Sequence, residues 1–298
     1  MGRVLLLSAG VVLTLGFHPC DSKTLRVPDD HATLTEAIAA ASPGDTVAVG
    51  PGQYPENLLI RAPLHLVSIP RRQAEIVGQE ARQSVVSIEG VEGGVLVRGF
   101  RINGNVGSTA GVGGLESSVR VEDNEIYMST NGVELRQCDG EIADNLFRNN
   151  FGTAIHLRGS SPRIVRNRFD DRASAAILVV GKNSRPVVGG APGEGNVFGN
   201  GYGSEITNET KNEIDARYNQ WSWSATLQMD SQPYPSNINA IYDEFDSQRF
   251  GKVDYRHWVS GEGGGEPRLR VGLTVAVAIV AVAIVSMLVV LGRRRRAA

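Results

Sequence analysis

Acidic, basic and amide side chains recur at matched offsets in the middle of this chain, and that recurrence is where chemistry would lie. Glu134 and His156 are 22 residues apart, as are Arg136 and Arg158. Asp144 and Arg166 keep the same interval, and Arg148, Asn149 and Asn150 are matched by Asp170, Asp171 and Arg172. If one turn of the fold takes 22 residues, each pair stacks on adjacent turns. Asp170 and Asp171, with His156 and Arg158, then form a candidate catalytic set. Two carboxylates can divide into acid and base, or hold Ca²⁺. Glu134, Arg136, Asp144 and Asn149 could line a ligand face, and Trp221 and Trp223 could offer flat rings to a sugar. The same residues also fit solvated turns and exposed ion pairs, which contribute little, and the tryptophans fit a seal over an open end. His31, His65 and His257 are scattered, and Cys20 and Cys138 make no zinc motif, so no metal-ligand set or cofactor is evident.

A short repeat supplies the turn that such stacking requires. An aliphatic residue, two spacers, Asn, any residue, then Ile or Phe occurs at Val121/Asn124/Ile126, Ile142/Asn145/Phe147 and Ile164/Asn167/Phe169. A reduced copy ends in Asn196 and Phe198. The asparagines are 21, 22 and 29 residues apart, and Val133, Ile155 and Ile177 follow at 22 and 22. Periods of this size mean stacked units, each too small to bury its own face. Residues 132–136 and 154–158 alternate apolar and polar, which is strand periodicity, and Gly, Asn, Asp and Ser fill the gaps as turns require. The expectation is an all-β solenoid whose coils pair in parallel. Val133, Ile155 and Ile177 form one inward stack, and Ile126, Phe147, Phe169 and Phe198 another. The Asn row fits a turn ladder, because Asn tolerates left-handed backbone and its amide can bond the next coil; a ligand-binding row is the alternative. Strands are expected at 64–69, 75–77, 85–88 and 95–102, with Phe100 in the Asn position. The Gly-rich stretches 103–115 and 189–195 are expected to leave the coil as loops.

Ahead of the repeats, Thr33 and Glu36 make a capping box. Leu34, Ala37, Ile38 and Ala41 share a helical face, and Pro43-Gly44 ends the helix. The run from Thr33 through Glu36, Ala37, Ile38, Pro43, Gly44 and Asp45, followed by Pro51, Gly52, Tyr54, Glu56 and Asn57, resembles the N-terminal cap of pectin-lyase-like right-handed parallel β-helix proteins. The later coils resemble the repeats of the NosD-like and carbohydrate-binding or sugar-hydrolase group. The resemblance covers about residues 24–259. It implies the right hand of the helix, a helix plugging the first coil, and closing segments near Tyr218–Trp221 and Phe250–Trp258. The paired-Asp and Gly-His-Gly signatures of polygalacturonases, the Asp-Pro-His pattern of alginate epimerases and the Asp-Phe pattern of pectinesterases are absent.

The two ends of the chain bound the compartment. Residues 1–20 look like an export signal, with Arg3 ahead of a 12-residue apolar run from Val4 to Leu15. Residues 260–270 form a Gly-rich linker. Val271–Leu291 is 21 residues without a charge, about 31 Å as a helix and enough for one bilayer core. Arg293–Arg296 at once behind it place the 293–298 tail in the cytoplasm, and the repeat domain, residues 24–259, outside. Those four arginines bring the remaining −6 to the formal −2, so the domain offers no broad basic field and no nucleic-acid partner is expected. The expected function is a membrane-anchored extracytoplasmic β-helix that binds a polysaccharide or cell-surface component without catalysis. The alternatives are a polysaccharide lyase, hydrolase or epimerase, and a NosD-like accessory component of a membrane complex.

Overall fold

The computed structural model describes residues 22–105, 107–170 and 173–259. Within them the chain winds through three parallel sheets of ten, eight and seven strands, visited in turn on each coil. Sheet 1 holds Val119–Glu122, Ile142–Ala143 and Ile164–Val165. Sheet 2 holds Ile126, Phe147, Phe169 and Phe198. Sheet 3 holds 131–136, 153–158 and 175–180. This is a parallel β-helix.

The inward rows run as the repeat requires. Val112, Val133, Ile155, Ile177 and Ile206 stack in register along sheet 3, all buried. Ile102, Ile126, Phe147, Phe169 and Phe198 stack along sheet 2. The last three rings lie nearly parallel at 5.2 and 5.0 Å, and Trp221 continues the pile at 5.1 Å. Each such pair contributes about 0.5–1.5 kcal/mol beyond the area it buries.

The Asn row is a buried ladder at the corner between sheets 1 and 2. Asn145 donates from its backbone N and its Nδ2 to Asn167 Oδ1, both at 3.0 Å, and from Nδ2 to Val121 O at 2.7 Å. Asn124, Asn167 and Asn196 repeat the scheme, and the row runs on to Asn219. That rung, 23 residues past Asn196, escaped the spacing argument because the outer pattern fades there. Burial leaves no edge for a ligand. The left-handed backbone falls on the residue before four of the five asparagines, at Asp123, Asp144, Arg166 and Tyr218, and not on Asn itself. Phe100 takes the Asn place in an earlier coil, and its backbone N donates to Asn124 Oδ1 at 2.9 Å.

A second ladder was not foreseen. Ser117, Cys138, Ser160 and Ser184 form a buried row at the corner between sheets 3 and 1. Cys138 N donates to Ser160 Oγ at 3.0 Å, and Ser160 N to Ser184 Oγ at 3.2 Å. Cys138 is thus a packed thiol standing where its neighbours carry Ser. Two strand expectations also change. Residues 95–102 split into Val95–Arg98 and Arg101–Asn103. Ala110–Leu115, read as loop from its glycines, is a strand of sheet 3. Glycine is used there because of space inside the coil. At Gly132, in the same inward row as Gly111, a Cβ would lie 2.6 Å from both Ala154 O and Phe147 Cδ1. The 189–195 loop is present as expected, between the strands at 187–188 and 197–198.

Among the described residues two helices accompany the coils. Helix α1, Leu34–Ala40, is capped by Thr33 Oγ1, which accepts from Glu36 N at 3.1 Å, and it buries Leu34 and Ala37 in the core cluster. Glu56 accepts from Leu34 N and Thr35 N, so the next segment satisfies further free amides of that helix end. Helix α2, Trp223–Ser231, is capped by Ser222 and buries Ala225, Thr226 and Met229. No helix among the described residues is long and apolar enough to cross a membrane. The expected export signal, Cys20, the expected linker, the apolar run Val271–Leu291 and the basic tail lie outside the described residues.

Candidate functional site

Sheet 3 turns every second residue outward, and its outward row reads Ser87, Gly113, Glu134, His156, Leu178 and Thr207. A second outward row, two residues on, reads Glu89, Leu115, Arg136, Arg158 and Val180. The stacking of Glu134 with His156 and of Arg136 with Arg158 is therefore real. Two shallow depressions adjoin along this face. One, of about 360 Å³, is lined by Arg82, Ser84, Ser87, Thr109, Glu134 and Arg136. The other, of about 430 Å³, lies over the turn toward sheet 1 and is lined by Arg136, Gln137, Asp139, Arg158, Lys182 and Asn183. Both share Leu115 and Arg136, so they form one groove that crosses several coils. Gly113 sets its depth: a Cβ there would meet Ser84 Oγ at 2.4 Å.

The groove carries charge in a fixed arrangement. Arg136 donates from Nε and Nη2 to Glu134 Oε1 at 2.9 and 2.6 Å, and Asn131 Nδ2 donates to Glu134 Oε2 at 3.0 Å. Burial works against the Glu134 charge, but those hydrogen bonds and the neighbouring Arg136 and His156 outweigh it and hold the carboxyl below its usual range. Glu134 is an ionised acceptor already engaged, a poor proton donor at neutral pH. His156 is pushed the other way. Burial first, then the Arg158 and Arg136 charges, lower its pKa against the pull of Glu134 and Glu209, so the imidazole is neutral near pH 7. Its Nε2 is buried without a hydrogen-bond partner. Arg158 and Lys182 bring further positive charge, both exposed.

The remaining candidates fall elsewhere. Asp170 directly follows the sheet 2 strand at 168–169, at the corner leading to sheet 3, its backbone N bonded to Phe147 O and its carboxylate held by Arg168 at 2.7 Å. Asp171 lies outside the described residues. The structure thus assembles Glu134, Arg136, His156 and Arg158, and leaves Asp170 at a different corner. The spacing argument joined them because it aligned coils correctly but carried no information on which sheet faces which. Asp144 is at the Asn-ladder corner, bonded by Arg166 at 2.9 and 3.0 Å. Asn149 takes left-handed backbone at the corner between sheets 2 and 3, with its carbonyl accepting from Met128 N. Trp221 is fully buried on Phe198 and presents no ring to a ligand, which corrects its place as a sugar platform; Trp223 is 56% exposed. No cluster of three metal-ligating side chains occurs among the described residues.

Two features had no sequence signal. On the outer face of sheet 2, Tyr127 lies between the Arg101 and Arg148 guanidiniums, 5.6 and 5.3 Å from its ring. Its hydroxyl donates to Glu75, two coils away, and burial with that neighbour pushes its pKa up to about 12. Every member of this cluster is engaged, which makes it a clasp across coils. The second is Glu205, buried in the inward row after Gly132, Ala154 and Ala176. It accepts from Ser222 N at 3.1 Å and from Ser222 Oγ, the cap of α2. Burial raises its pKa to about 7.

Residues 75–192 match the family model described as right handed beta helix region. No curated protein matches the chain. With the three parallel sheets, this match supports a right-handed parallel β-helix similar to the pectin-lyase-like kind that the N-terminal segment and repeats resemble.

Proposed function

We propose that the protein is an extracytoplasmic, membrane-anchored β-helix whose sheet 3 groove binds a carbohydrate chain, or a polymer of the cell surface, without transforming it. The observation that carries this reading is the groove itself. It spans several coils, is floored by glycine at Gly113, and is lined by Arg82, Ser84, Ser87, Thr109, Arg136, Arg158 and Asn183. Hydroxyl, amide and guanidinium groups in a line suit the hydroxyls and carboxylates of an extended glycan. Its principal carboxylate, Glu134, is locked to Arg136 and Asn131, as expected of a group that orients a binding arginine. The anchor is read from Val271–Leu291 and the arginines behind it, and helix α1 is read as the plug of the first coil.

A second reading has one observation in its favour. The neutral, unpartnered His156 Nε2 beside Arg158 is the form a general base takes in a lyase or epimerase. One assay separates the two. The full chain, in detergent, is offered acidic and neutral polysaccharides with and without Ca²⁺, and binding and chain-end products are recorded together. Binding without products, lost in an Arg136→Ala, Arg158→Ala variant, is the expected result. Products that disappear in His156→Ala would replace it with the enzyme reading. Neither signal would leave the accessory role in a membrane complex.

A further inference from the structure

The two end helices expose very different surfaces. Helix α2 turns Trp223 and Leu227 outward at 56% and 53% exposure. They are four residues apart and so share one stripe. Around them the outward residues are Ser224 and Ser231, and the helix has a single charge, Asp230, which accepts from Trp258 Nε1 at 3.1 Å. Tyr242, Phe245 and Val259 are also exposed on the terminal segment. Single exposed apolar residues are ordinary, but Trp223 and Leu227 adjoin on one stripe, and contiguous exposed apolar surface is what marks contact sites.

The course of the chain identifies what covers it. The described residues end at Val259, which bridges to Gln220, one residue before Trp221 and three before Trp223. Trp258 holds the other end of α2 through Asp230. The chain therefore leaves the domain alongside this helix. Only residues 260–270 separate that exit from the uncharged run at Val271. Eleven residues can reach at most about 40 Å. On the anchored reading, the exposed stripe of α2 is held within a linker's length of the bilayer.

We propose that α2 is a membrane-contact surface, with Trp223 and Leu227 seated in the lipid headgroup region, so that the C-terminal end of the β-helix rests on the bilayer. Trp is suited to that layer, where its ring meets acyl chains and its N–H meets water. Two apolar side chains would hold a free protein on a bilayer only weakly. A tether makes the contact intramolecular, at an effective concentration on the order of millimolar, where weak contact suffices. The serine-rich, nearly uncharged outer face needs no anionic lipid.

This inference rests on the anchored reading, and its test keeps the two apart. The full chain is reconstituted in phosphatidylcholine vesicles with or without bromine on the upper acyl chain. Trp emission is compared for wild type and Trp223→Phe, and retention is scored separately by flotation after an alkaline carbonate wash. Bromine quenching that falls about twofold in Trp223→Phe, with circular dichroism unchanged, is expected. Should that variant misfold, Leu227→Cys carrying a polarity-sensitive fluorophore gives the same reading through a blue shift on vesicle addition. Flotation with no quenching at Trp223 and no shift at position 227 overturns the membrane contact and leaves the anchor. Quenching without carbonate-resistant flotation keeps the contact and removes the anchor. Sedimentation showing a dimer that dissociates in Trp223→Ser, Leu227→Ser would assign the stripe to a second copy and overturn the proposal.

Discussion

Seen from inside, the coils of this β-helix are near copies; seen from the groove, no two are alike. The interior repeats Asn124, Asn145, Asn167, Asn196 and Asn219 at one corner, Ser117, Cys138, Ser160 and Ser184 at another, and Phe147, Phe169 and Phe198 between. The outward row of sheet 3 reads Ser87, Gly113, Glu134, His156, Leu178 and Thr207. The physical reason is that each inward side chain answers to an identical one a few ångströms above and below it. An amide bonds the next amide, and a ring stacks on the next ring, so the same residue is best on every coil. An outward side chain answers to water and to a ligand, and neither repeats with the coil.

The contrast breaks if inward and outward changes cost alike. Phe169→Ala removes the middle ring of the stack and should destabilise by about 3–5 kcal/mol, read as a lower denaturant midpoint. Asn167→Ala leaves the buried Asn145 N and Nδ2 donors without their acceptor, and should cost about 2–4 kcal/mol. Glu205 sharpens the point, because it is an acid in an inward row that otherwise carries Gly and Ala. Its folded pKa of about 7 lies above the ordinary value of 4.5 for this side chain. The stability it contributes is therefore fully present below about pH 4.5 and lost as pH rises through about 7, a swing of roughly 3 kcal/mol. Thermal melting should be higher at pH 5 than at pH 8, and Glu205→Gln should flatten that difference. Outside, Arg136→Ala with Arg158→Ala should move the melting midpoint least, by about 1 kcal/mol, because Glu134 loses two hydrogen bonds but keeps that from Asn131, while binding to an acidic polysaccharide weakens about tenfold or more. A large loss of stability in that variant would mean the groove arginines are part of the scaffold.

The same contrast decides what could be read from the residues. The period, the parallel coils, both inward stacks and the Asn ladder were legible because repetition is the signal that a stacked interior leaves in sequence. Even there, the reading failed where repetition and composition disagreed. Gly111, Gly113 and Gly114 suggested a loop, yet two are glycine for lack of room inside and one leaves the groove open. Cys138 hid the serine ladder by replacing one rung. At the site, spacing placed Glu134 on His156 and Arg136 on Arg158, but not the faces. Asp170 points from another corner, and Trp221 is a rung of the aromatic pile. Lys182, Asn183 and Arg82 entered the groove through turns that no period marks.

The ladders also have a direction. Asn124, Asn145, Asn167 and Asn196 each donate their backbone N–H to the asparagine of the following coil, and Cys138 and Ser160 do the same toward Ser160 and Ser184. No coil is complete until its successor is laid on it. In the folded protein every coil of the ladder is therefore capped by the one after it, and the last rung is the one that must find its partners elsewhere. The terminal rung at Asn219, whose Nδ2 turns back to Val188 O and Ala216 O, ends the row by bonding to carbonyls already laid down.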